Sequence, residues 1–174
     1  MGGSDNSFGI LTAAGLCLTL AFGANGACAQ DDREHALVLQ IGPAGEWPFN
    51  DRANFGGMFA VEKTVIEDWL EIEVGLTGLG TTGRTELSGD ILFKKPFRIS
   101  PTFELMVGVG PSFSRTLNGE DQSTTVSAAL SLDFMFWPTK DLGWFVEPTW
   151  TINPRNGQQS FAASVGLLIG IPQR

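Results

Sequence analysis

The chain has 174 residues, 43% of them hydrophobic, and carries a formal net charge of −8. That length fits one domain of ordinary size, and the apolar fraction excludes a disordered chain. The acidic balance leaves no basic stripe to meet phosphates, so nucleic acid is not an expected partner.

Phe8 to Phe22 (FGILTAAGLCLTLAF) is an apolar run too short to span a bilayer comfortably as a helix. Ala27-Cys28-Ala29 before Gln30 matches the small-x-small pattern of a signal-peptide cleavage site. Residues 1–29 are therefore expected to be a cleaved signal peptide, and residues 30–174 the folded domain. Asp5 stands where a basic residue normally precedes the apolar run. Cys17 and Cys28 would leave with the signal, so neither disulfides nor thiolate metal sites are expected afterward.

From Gln30 onward the pattern is strand, turn, strand. His35 to Gly42 is the first expected strand and PAGEWPFNDRAN its loop. Phe55 to Ile66 follows, then the short turn IEDW. Trp69 to Gly80 is the third strand and TTGRT a loop. Glu86 to Lys94 is the fourth, turned by KPFRIS. Thr102 to Arg115 is the fifth, followed by the polar loop TLNGEDQS. Thr124 to Trp137 is the sixth, turned by PTKDLG. Trp144 to Asn153, the loop NPRNGQ and Gln159 to Ile171 complete the series. Eight short strands punctuated by Gly, Asn and Pro predict an all-β, antiparallel, up-and-down barrel. The short, stiff turns alternate with connections that are mostly longer and more polar, so each kind falls at its own end. In outer-membrane barrels the short turns are periplasmic.

Alternation within the strands identifies the faces. In the third strand Leu70, Ile72, Val74 and Leu76 oppose Glu71, Glu73, Gly75 and Thr77. In the sixth, Val126, Ala128, Leu130, Leu132, Phe134 and Phe136 oppose Ser127, Ala129, Ser131, Asp133 and Met135. In the eighth, Phe161, Ala163, Val165, Leu167, Ile169 and Ile171 oppose Ala162, Ser164, Gly166 and Gly170. A water-facing surface would carry long Lys and Glu side chains. The polar face here is largely Gly, Ala and Ser, which suits the crowded interior of a small barrel. The larger, nearly uncharged face runs for about the 9–11 residues of a membrane-spanning strand. Trp69, Phe97, Trp137 and Trp144 lie beside the short turns, where an interfacial aromatic girdle belongs. A soluble β-barrel with the two faces reversed is the competing reading.

The strand pattern resembles the small Gram-negative outer-membrane β-barrels of the OmpA, OmpX and OmpW kind, and the stretches LFKKPFRISPTFELMVGVGP, LDFMFWP and GWFVEPTW, within Phe55 to Pro172, resemble a family of uncharacterised proteobacterial outer-membrane barrel proteins. The resemblance implies an eight-stranded transmembrane barrel in the cell outer membrane, partnered by its lipids and lipopolysaccharide and inserted by the outer-membrane assembly machinery. It implies a monomer and names no chemistry. Such barrels commonly finish on an aromatic residue, whereas this sequence finishes IGIPQR.

Few motifs carry chemistry, and no cofactor is expected. GLGTTG satisfies a dinucleotide-loop pattern, but a strand follows it where the phosphate site needs a helix. Asn118-Gly119-Glu120-Asp121 reads as a solvated turn lacking the spaced ligands of a calcium loop. His35 is the single histidine; a lipid A-modifying hydrolase would need it beside a serine and a carboxylate. The carboxylates are richer. Glu62, Glu73, Asp90, Glu104, Asp133 and Glu147 all fall on the inward face, three or four residues above the short turns, and predict a partial acidic ring with Glu71 just below. Lys94 and Arg98 are the inward basic candidates. So many carboxylates sharing a narrow lumen require protons, water or cations. The expected function is therefore non-enzymatic, either structural or binding a small ligand or cation. A small-solute channel with an acidic lumen and a lipid A-modifying enzyme are the alternatives.

Overall fold

The computed structural model describes residues 35–49, 51–81, 84–117 and 124–172. The expected signal peptide, the two cysteines and Asn118 to Asp121 lie outside them, as do the last two residues of GLGTTG. Eight strands run in chain order: β1 (His35–Pro48), β2 (Asn54–Ile66), β3 (Leu70–Thr81), β4 (Arg84–Ser100), β5 (Phe103–Thr116), β6 (Thr124–Phe136), β7 (Leu142–Ile152) and β8 (Gln159–Pro172). Each pairs antiparallel with its chain neighbours, and β1 pairs with β8 to close the barrel. Closure removes every sheet edge, which a lipid environment requires because no water is there to satisfy free backbone groups.

Three strands run differently from the sequence expectation. β1 continues six residues past Gly42 through the segment expected as a loop, and β4 continues through KPFRIS to Ser100. Thr81 and Arg84, expected in a loop, pair as the last rungs of β3 and β4. Pro43 and Pro96, expected in connections, lie within strands. Pro43, Pro111 and Pro148 each stand where the partner series breaks: between Ile41↔Leu167 and Ala44↔Ser164, between Asp90↔Ser112 and Phe93↔Val109, and between Ser131↔Thr149 and Phe134↔Val146. Proline has no N–H to donate, so a break in the ladder accommodates it without ending the strand. Glycines line two of these seams. A Cβ on Gly110 would come 2.9 Å from the Ile91 carbonyl carbon, and one on Gly42 would come 2.7 Å from Gly166 Cα. Only a residue without a side chain lets the strands approach so closely.

The alternation turns the apolar face outward. Leu76 is 55% exposed and Leu167 53%, and Val74, Leu130, Leu132, Val165 and Ile169 join them in a belt around the barrel. A water-soluble protein does not leave a surface of that extent bare, whereas hydrocarbon is its natural solvent. Aromatic rings mark both rims. Phe103, Phe136 and Trp144 are direct cross-strand neighbours near the short-turn end, with Phe136 and Trp144 stacked at 4.0 Å. Trp47 packs edge-on to Phe55 at 5.8 Å and against Phe161 near the other end. Trp69, Phe97 and Trp144 are exposed as an interfacial girdle requires, but Trp137 is 5% exposed and turns inward. Its position follows from parity: it continues the inward series Ser131, Asp133, Met135 of β6. There it covers the short-turn mouth and packs 5.0 Å from the His35 ring.

Candidate functional site

The interior follows from the same alternation. Inward positions near the middle of the strands bring Gln40 from β1, Glu62 from β2, Glu73 from β3, Lys94 from β4, Ser131 and Asp133 from β6, and Glu147 from β7 into one layer. Glu62 and Glu73 are direct cross-strand partners. Lys94 springs from a rung lower, opposite Glu71, and its long stem carries the ammonium into the acidic layer. Gly108 makes room for that stem, since a Cβ there would lie 2.9 Å from Lys94 Cγ and would also collide with Ser131 Oγ.

Lys94 is fully buried and organises the layer. Its Nζ donates to Glu73 Oε2 at 2.6 Å and to Asp133 Oδ2 at 2.9 Å. Glu62 Oε2 and Glu147 Oε1 each lie 3.6 Å away. Gln40 Nε2 donates to Glu73 Oε2 at 2.7 Å. Bonds of this length between ionised partners are among the strong ones, and in a low-dielectric interior they fix geometry firmly. Phe145, Met135, Leu168 and Ala60, all completely buried, fill the rest of the layer. The result is a plug across the lumen, polar at its centre and apolar around it.

Cavities lie on both sides of the plug. Toward the longer loops a chamber of about 100 Å³ is lined by Asp90, Glu73 and Glu147, and Glu46 and Thr151 line both it and an outer funnel of about 370 Å³. The funnel walls are almost wholly Ser, Thr, Asn, Gln and acidic residues. Toward the short turns a vestibule of about 60 Å³ is lined by Glu62, Glu71, Glu104, Arg98, His35 and Trp137. Among the described residues, none lines both the chamber and the vestibule.

The six carboxylates expected at one height are therefore divided. Glu62, Glu73, Asp133 and Glu147 converge on Lys94. Asp90 sits a layer above, its carboxylate against Gly75, where a Cβ would approach it to 2.5 Å. Glu104 sits below, across from Arg98 on β4 and 3.9 Å from its Nε. Strand tilt separates residues that stand equally far from their turns, and counting along the sequence ignores tilt. Gln40 was not singled out by sequence reasoning, although it interrupts the apolar series of β1 on the inward face. Lys94 was noted as an inward base, but its role as hub depends on side-chain reach, which spacing does not report.

His35 belongs to the mouth. Its Nε2 lies 2.9 Å from the Lys140 carbonyl oxygen and 3.6 Å from Asp141 Oδ1, tying the start of β1 to the connection between β6 and β7. The connection between β2 and β3 is held by β4: Lys95 Nζ donates to the Asp68 carbonyl, and Arg98 Nε lies 3.5 Å from Asp68 Oδ1. Asp68 takes a positive φ of 55°, which Asp tolerates better than most residues.

No protein-family profile and no curated protein sequence matches the chain. Solved structures do. Neisserial surface protein A superposes with a TM-score of 0.66 at 14% identity, over 78% of this chain and 97% of that one. OprG of Pseudomonas aeruginosa superposes at 0.62 with 9% identity, over 81% and 99%. The N-terminal β-barrel domain of OprF from the same organism gives 0.58 at 13% identity, over 78% and 100%. Identities this low speak for architecture alone, and the architecture they share with this chain is that of the small outer-membrane β-barrel.

Proposed function

We propose that the chain is an integral outer-membrane β-barrel without catalytic activity, closed through its centre, with a structural or ligand-binding role. The observation that carries this reading is the Lys94 plug: four carboxylates from four strands on one buried ammonium, with packed apolar side chains around it. A barrel of eight strands is just wide enough for its own side chains to fill, and these do. The lipid belt and the fold of the superposed proteins support placement in the outer membrane, among its lipids and lipopolysaccharide, after insertion by the assembly machinery. A single barrel with no sheet edge has no need of a partner copy. The hydrolase reading loses ground because His35 stands at the short-turn end, away from the outer-leaflet face, and is engaged with Lys140 and Asp141.

Planar-bilayer recording tests the proposal. The refolded protein should give no sustained conductance steps, whereas a steady ohmic current from the wild type would overthrow the closed-lumen reading. Replacement of His35 by Ala should cause no loss of any lipid A modification, whereas such a loss would restore the hydrolase reading.

A further inference from the structure

The plug contains more acceptors than its donors meet. Gln40 Oε1, both oxygens of Glu62, Asp133 Oδ1 and Ser131 Oγ are buried without a hydrogen-bond partner. The ammonium of Lys94 serves Glu73 and Asp133 at bonding distance, while its 3.6 Å approaches to Glu62 and Glu147 are too long for hydrogen bonds. Four carboxylates against one ammonium leave three negative charges when all are ionised. An interior ringed by lipid does not sustain such an excess without a counter-charge.

The spacing says what counter-charge fits. One oxygen from each of Glu62, Glu73 and Asp133 lie within 4.8 Å of one another. Oxygens on opposite sides of a calcium ion stand roughly 4.6–5.2 Å apart, given bonds of about 2.3–2.6 Å. That diameter is the widest spacing two oxygens on one such ion can have, and all three oxygens lie within it or near it, so they can share one ion. The donors are all hard oxygens, which select calcium-class cations over soft transition metals. The Gln40 amide adds an independent indication. It is completely buried, its nitrogen is committed to Glu73, and its oxygen is left within the cluster without a donor. Glu62 also lines the short-turn vestibule with Glu71 and Glu104, beside Arg98 and His35, and a cleft in which acids outnumber bases concentrates cations.

We propose that Glu62, Glu73 and Asp133, with the amide oxygen of Gln40, bind one hard divalent cation of the calcium class that enters through the short-turn vestibule. Lys94 shares the cluster, donating to Glu73 Oε2 and Asp133 Oδ2. The inference rests on the closed lumen proposed above, since an open pore would hydrate these oxygens.

Calorimetric titration of the detergent-folded protein with Ca²⁺ tests it, with Tb³⁺ as a luminescent probe sensitised by Trp137, which lines the same vestibule. One Ca²⁺ per chain is expected, displacing Tb³⁺. Glu62→Gln should weaken binding at least about tenfold, as losses around a metal site commonly do. Glu104→Gln, in the outer part of the vestibule, should change affinity by no more than about threefold, as befits a partly screened charge. If Glu62→Gln does not fold, as judged by its circular dichroism, Asp133→Asn carries the same expectation. Absence of Ca²⁺ binding, or equal binding by the wild type and Glu62→Gln, would overturn the proposal. So would an infrared carbonyl band of a protonated acid that vanishes in Glu62→Gln and ignores Ca²⁺, since protons would then supply the missing charge. Conductance separates the two levels: a silent barrel that binds no Ca²⁺ rejects the cation site and leaves the closed barrel standing, whereas a conducting wild type removes the premise itself.

Discussion

Replacing Lys94 by Met is the most searching perturbation of this barrel. Methionine keeps the length and much of the volume of the lysine stem, so packing against Gly108 and Ser131 changes little. What disappears is the ammonium that donates to Glu73 at 2.6 Å and to Asp133 at 2.9 Å. Each charge-assisted bond contributes about 1.5–3 kcal/mol, and removing one member of a buried ion pair costs about 3–5 kcal/mol because its partner is stranded. A loss of roughly 3–6 kcal/mol follows. Urea unfolding of the barrel refolded into lipid vesicles reads it directly. With a slope of about 1–3 kcal/mol per molar urea, the midpoint should fall by at least about 1 M. Combining Lys94→Met with Glu73→Gln should cost less than the sum of the single changes, by about 1–3 kcal/mol, because the two groups share one bond. A Lys94→Met barrel as stable as the wild type, or a coupling near zero, would mean that the apolar shell holds the plug and the ion pairs are incidental.

Four further outcomes are expected. On a gel run in SDS with and without boiling, the protein should migrate as two species, since a closed barrel resists detergent until heated; identical migration would argue that the apolar face is buried rather than lipid-facing. Leu76→Arg, in the middle of the belt, should cost about 2–4 kcal/mol in vesicles, while Ile99→Arg near the short-turn rim should cost about 0–1; equal effects would contradict the placement of the bilayer. Gly110→Ala should cost about 1–3 kcal/mol by forcing apart strands at the Ile91 seam, whereas Gly78, with open space around its Cα, should accept alanine within about 0.5 kcal/mol. Trp137→Ala should cost about 3–5 kcal/mol as the loss of a buried ring, more than Trp144→Ala, which mainly loses its stacking on Phe136, worth about 0.5–1.5 kcal/mol beyond buried area; comparable losses in urea midpoints would place both rings at the interface.

The strand count, the antiparallel order and the direction of both faces were legible from period-two alternation, because a one-residue error in any strand would turn its whole apolar face into the lumen. The ends of strands were less legible. Pro43 and Pro96 read as breaks, yet in the closed barrel they occupy a seam and a rung and the strands continue past them, β1 as far as Pro48. Trp137 was expected in the aromatic girdle from its proximity to a turn, but directly after β6 its odd number places it with Asp133 and Met135. At the Lys94 layer, parity found inward residues correctly, but height needed tilt and reach. Glu104 and Asp90 separate from the other acids by tilt, and Lys94 joins acids above its own rung by the length of its side chain.

These two kinds of information have different physical origins, and the difference bears on what the interior is for. Facing is decided residue by residue against the solvent, so every strand repeats the message and one misfit is outvoted. Height and pairing within the lumen are decided once, by a few long side chains meeting across the barrel. A filled interior could have been made from Leu, Ala and Ser alone, as the layer of Ala60, Leu168 and Phe145 illustrates. Placing four carboxylates and one ammonium there instead carries a desolvation cost that an apolar core avoids. Such an arrangement persists where the charges do something the apolar core would not, either fixing the strands in one register or holding an ion. The layer has one ammonium for four acids, so the first role needs protons on the excess carboxylates and the second a bound cation. Glu62, which accepts no hydrogen bond and lines the vestibule, is the residue on which the choice turns.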